Sequence, residues 1–216
     1  MKLSIKLAAG VALALIAMGG AGARAANLIQ DGDFSSPSVG GGWGEFSGTG
    51  WSNNDPSNPG AIEIGFSPIY GMPCASADVC QNMEVNANAF DASFQTVNGL
   101  TVGAQYNLSW LYGGRDSGGP DFLDVSFGGQ YLVTNSGSIG VWSPNSYVVT
   151  ATATSETLVF ASWTTSGAPS YGNEITNVSL TAVPEPATWA MMLVGVGALG
   201  AALRHSRRRT VQAASA

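Results

Sequence analysis

The segment Phe122–Thr134, FLDVSFGGQYLVT, decides the fold of this chain. Apolar and polar residues alternate up to Phe127, and a second short run rich in apolar residues follows Gln130. Both patterns are typical of β-strands. Gly128 and Gly129 stand between the two runs and fit the two-residue turn of a β-hairpin. The segment therefore predicts two antiparallel strands joined by a tight turn.

Further short runs of alternating or β-branched residues lie on both sides of this hairpin, separated by Gly, Pro and Asn. They cover 61–66, 90–97, 105–112, 146–152, 157–163 and 174–182. This spacing is typical of an all-β sandwich or barrel, and the region 26–182 is long enough for one core. We therefore predict an all-β protein with an antiparallel β-sandwich over 26–182. A signal peptide precedes it, and a transmembrane helix follows it.

The first 25 residues have the order of a secretory signal peptide. Lys2 and Lys6 precede an apolar run over 7–18, and small residues then lead to Ala25. The alternative is an N-terminal membrane anchor, but an apolar run of about twelve residues is shorter than the roughly twenty that a span requires. We expect cleavage after Ala25 or Ala26.

The C-terminal region 183–209 has three parts in series. A proline-rich linker leads to an apolar segment over 187–203, which as a helix would be about 26 Å long, near the lower limit for crossing a bilayer. Arginines follow, and the positive-inside bias places them in the cytoplasm, so that the sandwich faces outward. Trp189 would lie at the outer interface. We predict that the last residues, 210–216, are disordered.

This C-terminal region resembles the PEP-CTERM family of sorted bacterial proteins. The matching residues are Pro184, Glu185, Pro186, Trp189, Arg207, Arg208 and Arg209. The resemblance implies recognition by an exosortase, a membrane peptidase that would cut near 184–186, and a host that makes exopolysaccharide or biofilm matrix. The chain would be exported through the inner membrane and anchored there briefly with its domain in the periplasm. It would then pass to the outer surface or extracellular matrix. An ordinary C-terminal membrane anchor is the alternative.

The charge of the region between the two ends excludes several functions. Together with the proline-rich linker up to Pro186, it contains all fourteen Asp and Glu residues but only one basic residue, Arg115, which gives a net charge of −13. Nucleic-acid binding is excluded because phosphate contacts need clustered Lys and Arg. The region has no histidine, so it cannot form a Ser-His-Asp triad, a histidine zinc site or a Cys-His pair. We therefore predict that the protein is not an enzyme.

One enzymatic alternative stays open. A glycoside hydrolase needs only two suitably spaced carboxylates, and the nearest cluster is formed by Asp116, Asp121 and Asp124. The more common interpretation of this cluster is a solvated loop that leads into a strand.

The middle region also resembles, more weakly, jelly-roll domains related to carbohydrate-binding modules and the galactose-binding-like fold. The resemblance lies in 27–34, 94–109 and the closing run 173–180. It implies a possible structural calcium ion, for which Asp33, Glu174 and Asn177 could supply oxygen ligands. It also implies contact with a polysaccharide. The alternatives are a purely structural surface or adhesion protein and the hydrolase above.

Aromatic residues in or beside glycine-rich loops are the candidates for stacking on sugar rings. They are Trp43, Trp51, Tyr70, Tyr112, Trp142 and Tyr171. Trp110 and Trp163 lie inside apolar strands and are expected in the core.

The two cysteines, Cys74 and Cys80, form an even pair in an exported chain. This predicts a disulfide that closes a surface loop.

Overall fold

We describe a computed structural model of the chain over residues 25–115, 121–137, 139–165, 168–184 and 192–204. One helix, α1, covers 192–204. The strands are β1 (Trp43–Ser47), β2 (Ser52–Asn53), β3 (Ala61–Phe66), β4 (Gln81–Glu84), β5 (Ala92–Asn98), β6 (Gln105–Gly114), β7 (Asp121–Phe127), β8 (Gln130–Asn135), β9 (Ser143–Thr150), β10 (Ser155–Thr164) and β11 (Asn173–Ala182).

The strands form two antiparallel sheets. The first sheet has the order β1-β3-β4-β11-β6-β9, and the second has the order β2-β5-β10-β7-β8. The hairpin predicted from the central segment is present, since Phe127 pairs with Gln130 and both turn glycines have positive φ. The prediction of an all-β, antiparallel fold is confirmed.

The eight runs predicted as strands are all strands, with ends that differ by a few residues. β1, β2 and β4 were not predicted. β1 follows three consecutive glycines, β2 has only two residues, and β4 has the polar sequence Gln-Asn-Met-Glu. These strands lack the apolar alternation that reveals the others. In β4 only Met83 joins the hydrophobic core, although all four residues are buried.

The hydrophobic core lies between the two sheets. Ile62, Met83 and Leu108 contribute from the first sheet, and Leu123 and Phe160 from the second. These side chains are almost completely buried. Because side chains alternate along a strand, the residues between them project from the outer faces of the two sheets. Those outer faces contain the candidate functional residues.

The two ends of the described sandwich meet at β11. The side chain of Asn27 accepts hydrogen bonds from Ile29 N and Leu180 N and donates one to Val178 O. At the other end, Val183 N donates to Gln105 O at 2.9 Å. The chain segment next to the predicted cleavage site therefore packs beside the strand that leads into the C-terminal region.

The predicted signal peptide over 1–25 lies almost entirely outside the described residues, as do 187–191 of the predicted transmembrane helix. Within the described part of the chain, no helix has both the length and the hydropathy needed to cross a membrane.

Candidate functional site

A row of glutamates crosses the outer face of the first sheet. Glu63 pairs with Glu45 on β1 and with Glu84 on β4, and Glu84 in turn pairs with Glu174 on β11. Glu63, Glu84 and Glu174 are buried, although they project away from the hydrophobic core. Four carboxylates therefore lie side by side on four neighbouring strands.

Arg115 and two tyrosines cover this glutamate row. The Arg115 guanidinium forms an ion pair with Glu84 at 2.8 Å. Its centre lies 4.3 Å from the Tyr70 ring centroid and 5.4 Å from that of Tyr171. The Tyr70 hydroxyl donates a hydrogen bond to Glu63. Arg115, the single basic residue of the sandwich, therefore links the glutamate row to the two tyrosines that cover it.

The loop between β3 and β4, residues 67–80, contains Tyr70 and packs closely on the sheet because the strands beneath it have glycines. A Cβ atom at Gly65 would collide with the Tyr70 ring, and one at Gly113 would collide with Met72. The predicted disulfide between Cys74 and Cys80 is present in this loop. Trp142 Nε1 donates to Pro73 O at 2.7 Å and attaches the loop to the segment before β9. The loop is therefore fixed at several points along its length.

Burial of the row changes the acidity of its members. Burial raises the pKa of Glu84 to about 7, although the Arg115 charge opposes the shift. Burial, followed by the charge of Glu84, raises the pKa of Glu174 well above its usual range. Glu174 Oε2 accepts a hydrogen bond from Asn82, while its Oε1 is buried and has no partner. The glutamate row therefore places buried carboxyl groups next to each other, beneath Tyr70 and Arg115.

Three of the six aromatic candidates for sugar contact are buried. Trp51 closes the core against Phe34 and Phe160 and donates to Gln30 O. Tyr112 lies in the core, and its hydroxyl donates to Asn173. Tyr70 lies on the glutamate row. These three side chains are therefore not accessible for stacking on a sugar, because each has a packing role inside the fold.

The other three candidates are accessible. Trp43 is 59% exposed on edge strand β1, on the same outer face as the glutamate row, and Tyr171 is 45% exposed beside Arg115. Trp142 is half-buried against Pro73.

The outer face of the second sheet has an aromatic pair that the sequence did not predict. Trp163 on β10 lies opposite Phe122 on β7, and their rings stack with centroids 4.3 Å apart. Trp163 is 39% exposed, so the expectation that it lies in the core is wrong. The expectation is correct for Trp110, which is 1% exposed.

Polar groups lie next to this pair. Asp124 is on the same outer face as Phe122, and its Oδ1 accepts a hydrogen bond from the Thr134 hydroxyl at 2.5 Å. The Thr134 hydroxyl is also 2.8 Å from that of Tyr131, whose side chain is 63% exposed. We call Phe122, Asp124, Tyr131, Thr134 and Trp163 the aromatic face.

The two described members of the acidic cluster considered for hydrolysis, Asp121 and Asp124, do not lie together. Asp121 and Asp124 are three residues apart on β7, so their side chains project from opposite faces of the strand. Asp121 is buried, and Asp124 belongs to the aromatic face. Asp116 lies outside the described residues.

The three calcium candidates have different surroundings. Asp33 lines a surface pocket with Asp78 and Gln81. Asn177 is exposed and lines a different pocket, with Ser109 and Thr181. Glu174 is completely buried. A calcium site formed by Asp33, Glu174 and Asn177 stays a prediction.

Of the sorting residues, Pro184 is described, whereas Glu185, Pro186, Trp189, Arg207, Arg208 and Arg209 lie outside the described residues. The sequence profile of the PEP-CTERM protein-sorting motif matches residues 182–209. The predicted motif is therefore confirmed, and it implies export and sorting by an exosortase. No curated protein sequence matches the chain.

Several solved structures align with part of this chain, each with a TM-score below 0.5. TmCBM61, in complex with β-1,4-galactotriose, has 13% identity and a TM-score of 0.44 over 73% of this chain and 99% of its own. The CBM22-1 xylan-binding domain of Paenibacillus barcinonensis Xyn10C has 9% identity and a TM-score of 0.44 over 64% and 89%.

The CBM22-1–GH10 modules of Clostridium thermocellum xylanase 10B have 14% identity and a TM-score of 0.40 over 62% of this chain. The match spans about a quarter of that longer chain, 26%. With these identities and TM-scores, the likenesses carry no argument about this chain.

Proposed function

We propose that this protein is an exosortase-sorted protein of the cell envelope or biofilm matrix, and that its sandwich binds polysaccharide without catalysis. The sorting motif at 182–209 supports the first half of the proposal. The second half rests on one observation, the exposed Trp163 stacked on Phe122 beside Asp124.

The chemistry of the aromatic face suits a sugar. The faces of a pyranose ring are apolar and stack on aromatic rings, whereas its rim presents hydroxyl groups that need hydrogen-bond partners. Trp163 and Phe122 supply the aromatic surface, and Tyr131 supplies a third exposed ring near them. Asp124 supplies a charged acceptor, which forms stronger hydrogen bonds than a neutral one. We infer that a glycan chain lies along the outer face of the second sheet.

The glutamate row, in this proposal, has a structural role. Its buried members lie beneath Tyr70 and Arg115, and Glu84 and Glu174 are 1% and 0% exposed among the described residues. The carboxylates of the acidic cluster, Asp121 and Asp124, face opposite ways. Both points support a binding role rather than hydrolysis.

Binding to polysaccharide from the host tests this proposal. Affinity electrophoresis or pull-down of the mature protein should show retention, and W163A should weaken it roughly tenfold, because a stacking contact is worth about 1.4 kcal/mol. W43A is the matched control, since Trp43 is an exposed tryptophan on the outer face of the other sheet. Equal loss in both variants, or no retention of the unmodified protein, would contradict the proposal.

A second measurement addresses catalysis. Incubation of the same polysaccharide with the mature protein should release no new reducing ends. Sustained release that is abolished by D124N or E84Q would replace the binding role with a hydrolytic one.

A further inference from the structure

The outer face of the second sheet carries a single charge. Its five strands contain three charged residues, and two of them, Asp121 and Glu156, are buried on the same side of their strands as the core residues. The third, Asp124, projects outward and is half-buried. Opposite it on β10 is Ala161, whose small side chain leaves the carboxylate open on that side. A ligand on the aromatic face therefore meets this carboxylate.

Two side chains of β8 orient Asp124. The Thr134 hydroxyl donates to Asp124 Oδ1 at 2.5 Å, and the Tyr131 hydroxyl lies 2.8 Å from that of Thr134. A hydroxyl has one hydrogen to donate, so Thr134 accepts its second bond from Tyr131. The chain of hydrogen bonds thus runs from Tyr131 to Asp124 and ends on an acceptor. An ionised carboxylate has about four acceptor positions, so Asp124 can still accept donors from a ligand.

The protein supplies no cation for Asp124. The one basic residue between 26 and 186 is Arg115, and its guanidinium is bound to Glu84 on the other sheet. The same region has a net charge of −13. Such a surface attracts cationic ligands and repels anionic ones, which disfavours polysaccharides with carboxylate or sulfate groups.

We propose that the polysaccharide bound at the aromatic face is one with free amino groups, such as a deacetylated amino-sugar polymer. This inference rests on the proposed function, because it concerns the same site. An ammonium group has three donors and no acceptor, and its hydrogen bonds to a carboxylate are charge-assisted. The faces of aromatic rings also attract cations. The chemistry of Asp124 and its aromatic neighbours therefore matches an ammonium group better than a hydroxyl.

The register of the strands lets one sugar residue reach both kinds of contact. Trp163 lies opposite Phe122, and Asp124 is two residues further along the same strand. Diagonal neighbours of this kind are about 7 to 8 Å apart, within reach of long and aromatic side chains. A pyranose ring that stacks on Trp163 can therefore direct its amino group to Asp124.

Isothermal titration of the mature protein with two oligosaccharides of equal length tests this inference. One is β-1,4-linked glucosamine and the other is its fully N-acetylated form, in slightly acidic buffer that keeps the amines protonated. The charge-assisted contact should make the glucosamine form bind about tenfold more tightly, and W163A should weaken both. D124N should abolish the preference, because asparagine can keep the bond from Thr134 but has no charge. D78N, which removes an exposed acid in a loop, should retain the preference.

Three results would overturn the inference and leave the proposed function standing. The first is equal or tighter binding of the N-acetylated form, or retention of the host polysaccharide when neither oligosaccharide binds. The second is a preference that D124N retains, which would show attraction by the whole acidic surface. The third is tighter binding of a lysine oligomer with the same number of amines, which would indicate a basic peptide. If neither oligosaccharide binds and the host polysaccharide is not retained, the proposed function fails as well.

Discussion

Glu84 and Glu174 are directly paired on neighbouring strands and are both buried, with only Arg115 to offset their charge. Two like charges in this position would normally separate or become neutral, because burial penalises ionised carboxylates. The fold keeps them together under the loop that contains Tyr70 and the disulfide. Proton binding is therefore part of the stability of this face.

We predict that the protein becomes less stable as the pH rises from about 5 to about 7. The carboxyls of Glu84 and Glu174 have a higher pKa in the folded chain than in the unfolded chain. Over this range the folded chain binds more protons, so the free energy of unfolding falls with pH, by at most about 1.4 kcal/mol per pH unit for each group. Urea unfolding at a series of pH values measures this slope.

The variant E174Q isolates one of the two groups. Glutamine can still accept the hydrogen bond from Asn82, but it cannot ionise. E174Q should therefore be more stable than the unmodified protein at pH 8 and should have a smaller slope. D78N, which removes an exposed acid, should leave the slope unchanged. A flat or rising profile in the unmodified protein would refute the account of the glutamate row.

A second prediction concerns Arg115. R115M removes the ion pair with Glu84 and should cost roughly 3 kcal/mol at pH 8, because the carboxylate would stay buried without its partner. The cost should be smaller at pH 5, where Glu84 is protonated. Adding E84Q to R115M should recover most of the loss. If the double variant is as unstable as R115M alone, the ion pair is not the reason that Arg115 matters.

A third prediction concerns Asn27, whose side chain makes three hydrogen bonds with the backbone, two of them to β11. N27A should lower the free energy of unfolding by about 1 to 2 kcal/mol, since it leaves Leu180 N without its acceptor. N107A is the control, because the Asn107 side chain accepts one hydrogen bond at the surface, from Ser146. Denaturant unfolding of both variants checks the difference, and equal stability would show that the N-terminal segment is not anchored.

The sequence predicted strands in which apolar and polar residues alternate, because one face of such a strand lies in the core and the other faces solvent. The strand β4 was missed because Asn82 and Glu84 project away from the core and are buried by a loop that is distant in sequence. Hydrophobic periodicity responds to apolar side chains and does not detect burial of this kind.

The aromatic face was missed for a different reason. The run from Leu158 to Trp163 has apolar residues on both faces of β10, so alternation does not indicate which face is outward. Only the register with β7 places Trp163 outside, opposite Phe122.

The last prediction concerns sorting. The profile match at 182–209 implies that an exosortase recognises the C-terminus. Val183 is still hydrogen-bonded to Gln105, so the motif begins directly at the edge of the folded domain. Cleavage near 184–186 would leave β11 and its pairing with β6 intact, and the released domain should therefore remain folded. Intact mass and fractionation of the protein from its host measure this directly.

Replacement of Pro184, Glu185 and Pro186 by alanine provides the comparison. We expect the unmodified protein to end near 186 and to lie outside the inner membrane, whereas the variant should keep its C-terminus through Ala216 and stay in the membrane fraction. Full-length chains in the inner membrane in both cases would show that the motif is not used for sorting. The carbohydrate proposal would survive that result, because Trp163 and Phe122 belong to the sandwich and not to the tail.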